Sequence, residues 1–270
     1  MSLLEKALFG ASLVIYLFAA ERQIRALFRR QEALDKTTFG PLTAGLILHL
    51  GAFAARAFTT QPHRLPLTGV PETFSFLAWL LILSWMILEL RWRIAALGAL
   101  ALPLAAVLDF LGLVGMAKAG RLYLLENPLV GAHITLSLLG YAAFALAFCA
   151  AVTYLLQDRL LKTKRLTGLS RHLPPVLLSD ETSYRLVAVG FPVFSLGLIL
   201  GAVWAYLRGE SYPTGDPKEI WGLITWVIFA VYLYARALQG WRGRRTAALL
   251  VIGFISILIT YLAVGHTLAT

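Results

Sequence analysis

Leu129-Val-Gly-Ala-His133-Ile-Thr-Leu-Ser137-Leu-Leu-Gly140-Tyr141-Ala-Ala-Phe144-Ala-Leu-Ala-Phe-Cys149-Ala-Ala-Val-Thr-Tyr-Leu-Leu156 contains no Lys, Arg, Asp or Glu. A helix needs roughly 20 mostly apolar residues to cross the hydrocarbon core of a bilayer. Carried outward, the same reading gives eight runs, at about 5–21, 39–58, 72–90, 94–116, 129–156, 186–207, 220–239 and 246–266. Charge, Pro or Gly marks nearly every connection. Only helices or closed barrels satisfy their backbone groups in lipid, and no strand-like alternation is present. The expected fold is therefore all-α: one polytopic membrane bundle of about eight transmembrane helices, over 1–270.

Composition points the same way. Of 270 residues, 59% are apolar and 14% charged, and the mean hydropathy is +0.75. Soluble domains are about 45–50% apolar and about 25% charged, so a soluble enzyme or a disordered chain is excluded. One cysteine, Cys149, excludes a disulfide scaffold and a thiolate zinc site.

The net charge of +10 is a topology signal. Lys and Arg in alternate connections form two sets. The richer set holds 17, including Arg22, Arg29, Arg91, Arg159, Lys164, Arg185 and Arg242; the poorer holds 7, namely Lys6, Arg56, Arg64, Lys118, Arg121, Arg208 and Lys218. The richer side is expected to be cytoplasmic, with both termini outside. Nucleic acid is not an expected partner. The first run is read as a span rather than a cleaved signal, because the basic stretch after it resists export.

Polar groups that a bilayer makes costly are the candidate site residues. His49 falls near the middle of the second run, His133 at the outer end of the fifth and His266 at the outer end of the eighth. His63 and His172 fall in connections. His133, Ser137, Gly140, Tyr141 and Phe144 share one helical stripe, and so do His49, Ala52, Phe53 and Arg56. Such histidines suit a metal or haem iron, and equally a hydrogen bond to a neighbouring helix. Asp109 is a deep carboxylate with the same two readings, and Glu89 is expected to pair with Arg91 or Arg93. No HExxH, P-loop, Ser-His-Asp or paired-carboxylate pattern is present. Asp216-Pro217-Lys218-Glu219 reads as a helix start, with Asp at the N-cap and Pro at the first helical position. Trp204 and Trp221 flank the loop 205–219 at interface depth.

Several blocks together resemble the cytochrome c assembly family of haem-handling membrane proteins, which includes the haem lyase subunit. Gly201-Ala-Val-Trp204-Ala is similar to the opening of that family's tryptophan-rich haem-binding loop. Asp216-Pro-Lys-Glu219-Ile-Trp221-Gly-Leu-Ile-Thr-Trp226 resembles its close. Ser183-Tyr-Arg-Leu-Val-Ala-Val-Gly190-Phe-Pro192 resembles the lead-in to the preceding span, and His133-Ile-Thr-Leu-Ser137-Leu-Leu-Gly-Tyr141 the helix bearing one external haem histidine. Pro66-Leu-Thr-Gly-Val-Pro-Glu72-Thr-Phe-Ser-Phe-Leu-Ala-Trp79 resembles the family's outer loop and third span, and Gly240-Trp-Arg-Gly-Arg-Arg245 its last cytoplasmic turn.

The chain also departs from the pattern. Gly209, Pro213 and Gly215 stand where the family's loop has further tryptophans, and only Tyr212 keeps a ring. Tyr234 stands at a family histidine, and the second external histidine aligns just past Thr270, with His266 available only by a shift. This resembles a divergent branch associated with haem biosynthesis.

The resemblance implies a haem-binding protein of cytochrome c assembly, with b-type haem held non-covalently and no catalysis of its own. His133 is the expected axial ligand, then His49, then His266. Trp204, Asp216 and Trp221 are expected around the haem, and Arg56, Lys118, Arg121, Arg208 and Lys218 at its propionates. Expected partners are haem, lipid and other assembly or haem-biosynthesis proteins, in a bacterial inner or organellar membrane. Two other functions fit the residues. One is a membrane regulator of haem biosynthesis that uses the basic segment 157–185 as contact surface. The other is a small-solute or metal-ion transporter with Asp109 and His49 on the path.

Overall fold

In lipid a backbone donor has no water to bond, so each apolar run closes its own hydrogen bonds as a helix. The computed structural model describes residues 1–28, 36–59, 67, 69–92, 94–118, 128–164, 170, 172–209 and 215–262. They form α1 (Leu3–Phe28), α2 (Lys36–Thr59), α3 (Val70–Trp92), α4 (Ala95–Lys118), α5 (Pro128–Lys162), α6 (Val176–Leu207), α7 (Pro217–Ala237) and α8 (Arg244–Leu262). No strand occurs among the described residues. Seven of the helices, α1 to α7, are long and apolar enough to cross a membrane. The 19-residue α8 stops where the described residues stop. The protein is a polytopic helical membrane protein.

By packing, the described helices fall into two compact units. The first comprises residues 1–127 with 164–174, and the second 128–163 with 175–270.

In the first unit α1 packs on α2 and α4, and α3 packs on α4. Phe9, Tyr16, Leu42, Leu81, Ile82, Trp85 and Leu102 are its largest fully buried side chains. Two glycines set the α3–α4 approach. A Cβ at Gly112 would lie 2.8 Å from the Pro71 carbonyl oxygen, and one at Gly115 2.7 Å from the Pro71 ring.

In the second unit α5 and α6 run antiparallel with small residues between them. Gly190 faces Ala143, Gly140 faces Phe194, Gly197 faces Ser137 and Gly201 faces His133. Small residues let helix backbones come close enough for dispersion forces, which lipid does not supply preferentially. An added Cβ at Gly140 would sit 2.6 Å from Phe194 Cβ and 3.0 Å from its Cα. Gly140→Ala should therefore push the two helices apart and cost about 1–3 kcal/mol by overpacking, visible as a lower unfolding temperature in detergent. Phe144 stacks on Phe229 at 3.7 Å and Phe148 on Phe254 at 4.2 Å, joining α5 to α7 and α8.

The α5–α6 connection is shorter than the sequence suggested. Residues 157–185, read as a basic loop, are largely helical: α5 continues to Lys162 and α6 begins at Val176. The reason is burial of polar groups. Ser179, Asp180, Thr182 and Ser183 are buried, and Asp180 ties the start of α6 to the α7–α8 turn. Its Oδ2 meets Arg236 at 2.6 Å, and its Oδ1 accepts from the Gly243 N–H at 3.1 Å. Gly243 takes a φ of +75°, which only glycine adopts at little cost.

Candidate functional site

Besides the Asp180–Arg236 tie, the second unit carries costly polar groups at the end where α5 begins and α6 closes. His133 lies in the second turn of α5, half-buried. Its Nδ1 donates to the Gly197 carbonyl at 2.7 Å. A Cβ on Gly201 would lie 2.8 Å from the imidazole, so only glycine leaves room for the ring there. The ring is thus held by one hydrogen bond and one packed face. Its Nε2 takes part in no hydrogen bond among the described residues.

One turn further along α6, the Arg208 guanidinium lies over the Trp204 ring at 4.8 Å from its centroid. Asp216 caps α7. Its backbone is extended, its side-chain Oδ1 accepts from the Lys218 N–H at 2.7 Å, and Pro217 follows as the first helical residue. Asn caps about as well as Asp, whereas Ala costs about 1 kcal/mol. Asp216→Asn should therefore leave the unfolding temperature unchanged while Asp216→Ala lowers it. A loss of haem from Asp216→Asn at normal expression would instead give the carboxylate a role beyond the cap. Glu219, in the first turn of α7, is an electrostatic neighbour of His133.

In the first unit the polar groups form a buried column. Arg56, near the end of α2, reaches Glu5 of α1 at 3.2 Å and Glu72 of α3 at 2.5 Å. All three are at most 5% exposed. Arg56, expected at a haem propionate, has its charge met here by two carboxylates. His49 is likewise engaged on both ring nitrogens. Nδ1 is 3.1 Å from the Tyr16 hydroxyl and Nε2 is 2.9 Å from Ser75 Oγ, which bonds Asp109 Oδ1 at 2.6 Å. The packing reading therefore accounts for His49 better than the haem-ligand reading. The expected partner of Asp109, a neighbouring helix, is Ser75 of α3.

Lys118 (its side chain), Arg121, His63, His266 and Tyr212 lie outside the described residues. Among the described residues no group of three His, Cys, Asp or Glu is placed to hold a metal ion. Sequence reading missed Tyr16, Ser75 and the Glu5–Arg56–Glu72 cluster, because residues on different helices carry no shared spacing. It also missed the glycine cradle of His133. A signal for that was present: Gly197 and Gly201 form a small-xxx-small pair in an apolar helix.

The sequence profile of the family described as Cytochrome C assembly protein matches residues 67–269. The chain is 31% identical to a cytochrome c biogenesis protein CcsA of Gloeobacter violaceus, over 97% of this chain and 92% of that protein. It is 32% identical to the CcsA protein of Heterosigma akashiwo, over 74% and 73%. The CcsA protein of Mesostigma viride is 29% identical over 90% and 87%. No solved structure matches the chain. The blocks around Glu72, His133, Gly201 and Trp221 all fall inside the matched region, and the chain belongs to the cytochrome C assembly protein family.

Proposed function

We propose that this protein handles haem during cytochrome c assembly, with His133 as the axial ligand. The observation that carries this is the state of the His133 ring. An imidazole that ligates iron characteristically donates its other nitrogen's proton to an acceptor, which fixes its orientation and raises its basicity. Here Gly197 supplies that acceptor at 2.7 Å, Gly201 gives the ring its packed face, and Nε2 makes no hydrogen bond among the described residues. These residues fit a haem iron. When bound, haem supplies the iron and the porphyrin chemistry.

The chain's own residues hold and orient it. Trp204 and Trp221 offer aromatic faces. Arg208 and Lys218 offer charge to propionates, with Arg208 already steadied on Trp204. Asp216 fixes where α7 starts and hence where Trp221 stands. The haem is b-type and non-covalent, because the chain has a single cysteine, buried in α5. We assign the protein no catalysis of its own. It acts with other cytochrome c assembly proteins in a bacterial inner or an organellar membrane, with the Lys/Arg-rich side cytoplasmic. His266 and the cations Lys118 and Arg121 remain in the proposed set as secondary contacts.

The test is a visible spectrum of the intact protein purified from haem-replete cells. A Soret band is expected. A colourless protein that binds a cytoplasmic partner tightly would replace this reading with the regulatory one.

A further inference from the structure

The polar chain of the first unit has a property that the haem reading does not use: its hydrogen bonds can all run in either direction. Tyr16 of α1, His49 of α2, Ser75 of α3 and Asp109 of α4 are linked by contacts of 3.1, 2.9 and 2.6 Å. His49, Ser75 and Asp109 are at most 1% exposed, and Tyr16 is fully buried. With Asp109 as a carboxylate, each donor has one acceptor. The Tyr16 hydroxyl donates to Nδ1, Nε2–H donates to Ser75 Oγ, and the Ser75 hydroxyl donates to Oδ1. Neutral imidazole has one donor and one acceptor nitrogen, and a hydroxyl has one donor and two acceptor sites. So the chain is fully consistent in that state. The other oxygen, Asp109 Oδ2, is buried with no hydrogen-bond partner among the described residues.

An added proton does not break the chain; it reverses it. With Asp109 as the acid, the carboxyl O–H donates to Ser75 Oγ, the Ser75 hydroxyl to Nε2, and Nδ1–H to the Tyr16 oxygen. Three hydrogen bonds exist before and after, and the imidazole has changed tautomer. Along the chain the Tyr16 proton passes to Nδ1, the Nε2 proton to Ser75 Oγ and the Ser75 proton to Asp109 Oδ1, and one proton from bulk water replaces the one that Tyr16 gave up, so the net balance is one proton taken in and one carboxylate neutralised. An orphaned buried carboxylate oxygen is costly, and intramembrane Asp, Glu and His chains mark proton relays.

The titratable and charged groups facing the chain are Glu5 and Tyr16 from α1, His49 and Arg56 from α2, Glu72 from α3, and Asp109 itself from α4. Arg56 lies two turns along α2 from His49, and Glu72 one turn along α3 from Ser75. Arg56 pairs with Glu5 and Glu72, and the polar contacts of Asp109 are with Ser75 and His49. Glu72 Oε2 is a second buried oxygen without a hydrogen bond among the described residues, on the same helix as Ser75 and one turn nearer its start.

We infer that the α1–α4 unit contains a membrane-embedded one-proton relay, Tyr16–His49–Ser75–Asp109, which stores one proton on Asp109 and is read out as a tautomer switch of His49. This role is independent of haem.

The test is pH-difference infrared spectroscopy of the full-length protein in lipid nanodiscs, prepared without haem. Lowering the pH should produce the C=O stretch of a protonated carboxylic acid together with a change in imidazole ring modes, the latter assigned by its loss in His49→Gln. Both signals should vanish in the isosteric Asp109→Asn. Ser75→Ala keeps acid and imidazole, 3.7 Å apart at Nε2 and Oδ1, but removes the hydroxyl that hydrogen-bonds both, so the carboxylic-acid band should persist while the imidazole modes no longer show a change of tautomer. A band that survives Asp109→Asn overturns the proposal. So do imidazole modes that never move in the parent protein, or that still show the change of tautomer in Ser75→Ala. If Asp109→Asn does not fold, the Ser75→Ala comparison decides alone.

Discussion

Replacing His133 with Ala is expected to remove the Soret band of the purified protein, or to shift it as another ligand takes its place, at unchanged expression. The side chain supplies Nε2, and Ala leaves the α5–α6 backbone contact at Gly197 and Ser137 in place. Added imidazole should restore part of the absorbance by filling the vacated space. The cradle should matter as well as the ligand. Gly201→Ala puts a Cβ 2.8 Å from the ring, so the imidazole must tilt off the Gly197 carbonyl. Loss of such an orienting partner typically weakens metal binding by about 10–100-fold. Haem titration of the two variants should therefore give loss for His133→Ala and a weaker, still saturable site for Gly201→Ala. Deleting residues 266–270 is expected to leave the band unchanged. If the deletion removes it and His133→Ala does not, the ligand assignment moves to His266.

Arg56→Ala should be the most damaging substitution for folding. The guanidinium bonds Glu5 and Glu72 at 3.2 and 2.5 Å, with its side chain 6% exposed and theirs 3% and 0%. Removing one side of a buried ion pair strands the other, at a cost of about 3–5 kcal/mol; here two carboxylates are stranded by one change. A typical domain has only about 5–15 kcal/mol in total, so little folded protein should reach the membrane. Replacing the whole cluster is a different experiment. Arg56→Met with Glu5→Gln and Glu72→Gln leaves no buried charge, and buried ion clusters replaced this way are often as stable as the original. Recovery of expression in the triple variant, measured by membrane-fraction yield and thermal unfolding, is the expected result. Arg56→Ala at normal yield would show that the cluster is hydrated and weak.

The departures of the loop from the family pattern bear on both readings. Gly209 and Gly215 adopt φ of +78° and +86°, a backbone that a tryptophan adopts only under strain. The glycines there reshape the turn as well as remove rings. Trp204 and Trp221 remain, each on a helix end rather than in the loop. In the proposed reading, haem contact would then fall on helix termini and on the α5–α6 cradle.

Composition and run length by themselves determined the membrane class, the helical fold and the approximate helix positions. Lipid leaves the backbone one economical solution, and eight apolar runs can meet it only as helices. The cap at Asp216 was legible too, since Asp-Pro-x-Glu acts on its own backbone within one turn. His133 was legible as a candidate because its stripe and its block are local. Its fixed ring was not, because Gly197 and Gly201 face it only when α5 and α6 pair in one register. The roles of His49 and Arg56 were decided entirely by packing. On α2 they share a stripe that would suit a haem and its propionate. In the folded unit α1, α3 and α4 bring Tyr16, Ser75, Asp109, Glu5 and Glu72 to them, and buried polar atoms bond to the nearest partner that can satisfy them. The start of α6 was misjudged for the same reason. Asp180 looks like a loop residue in sequence, and it is buried because Arg236 and the Gly243 N–H, more than fifty residues later, meet its carboxylate.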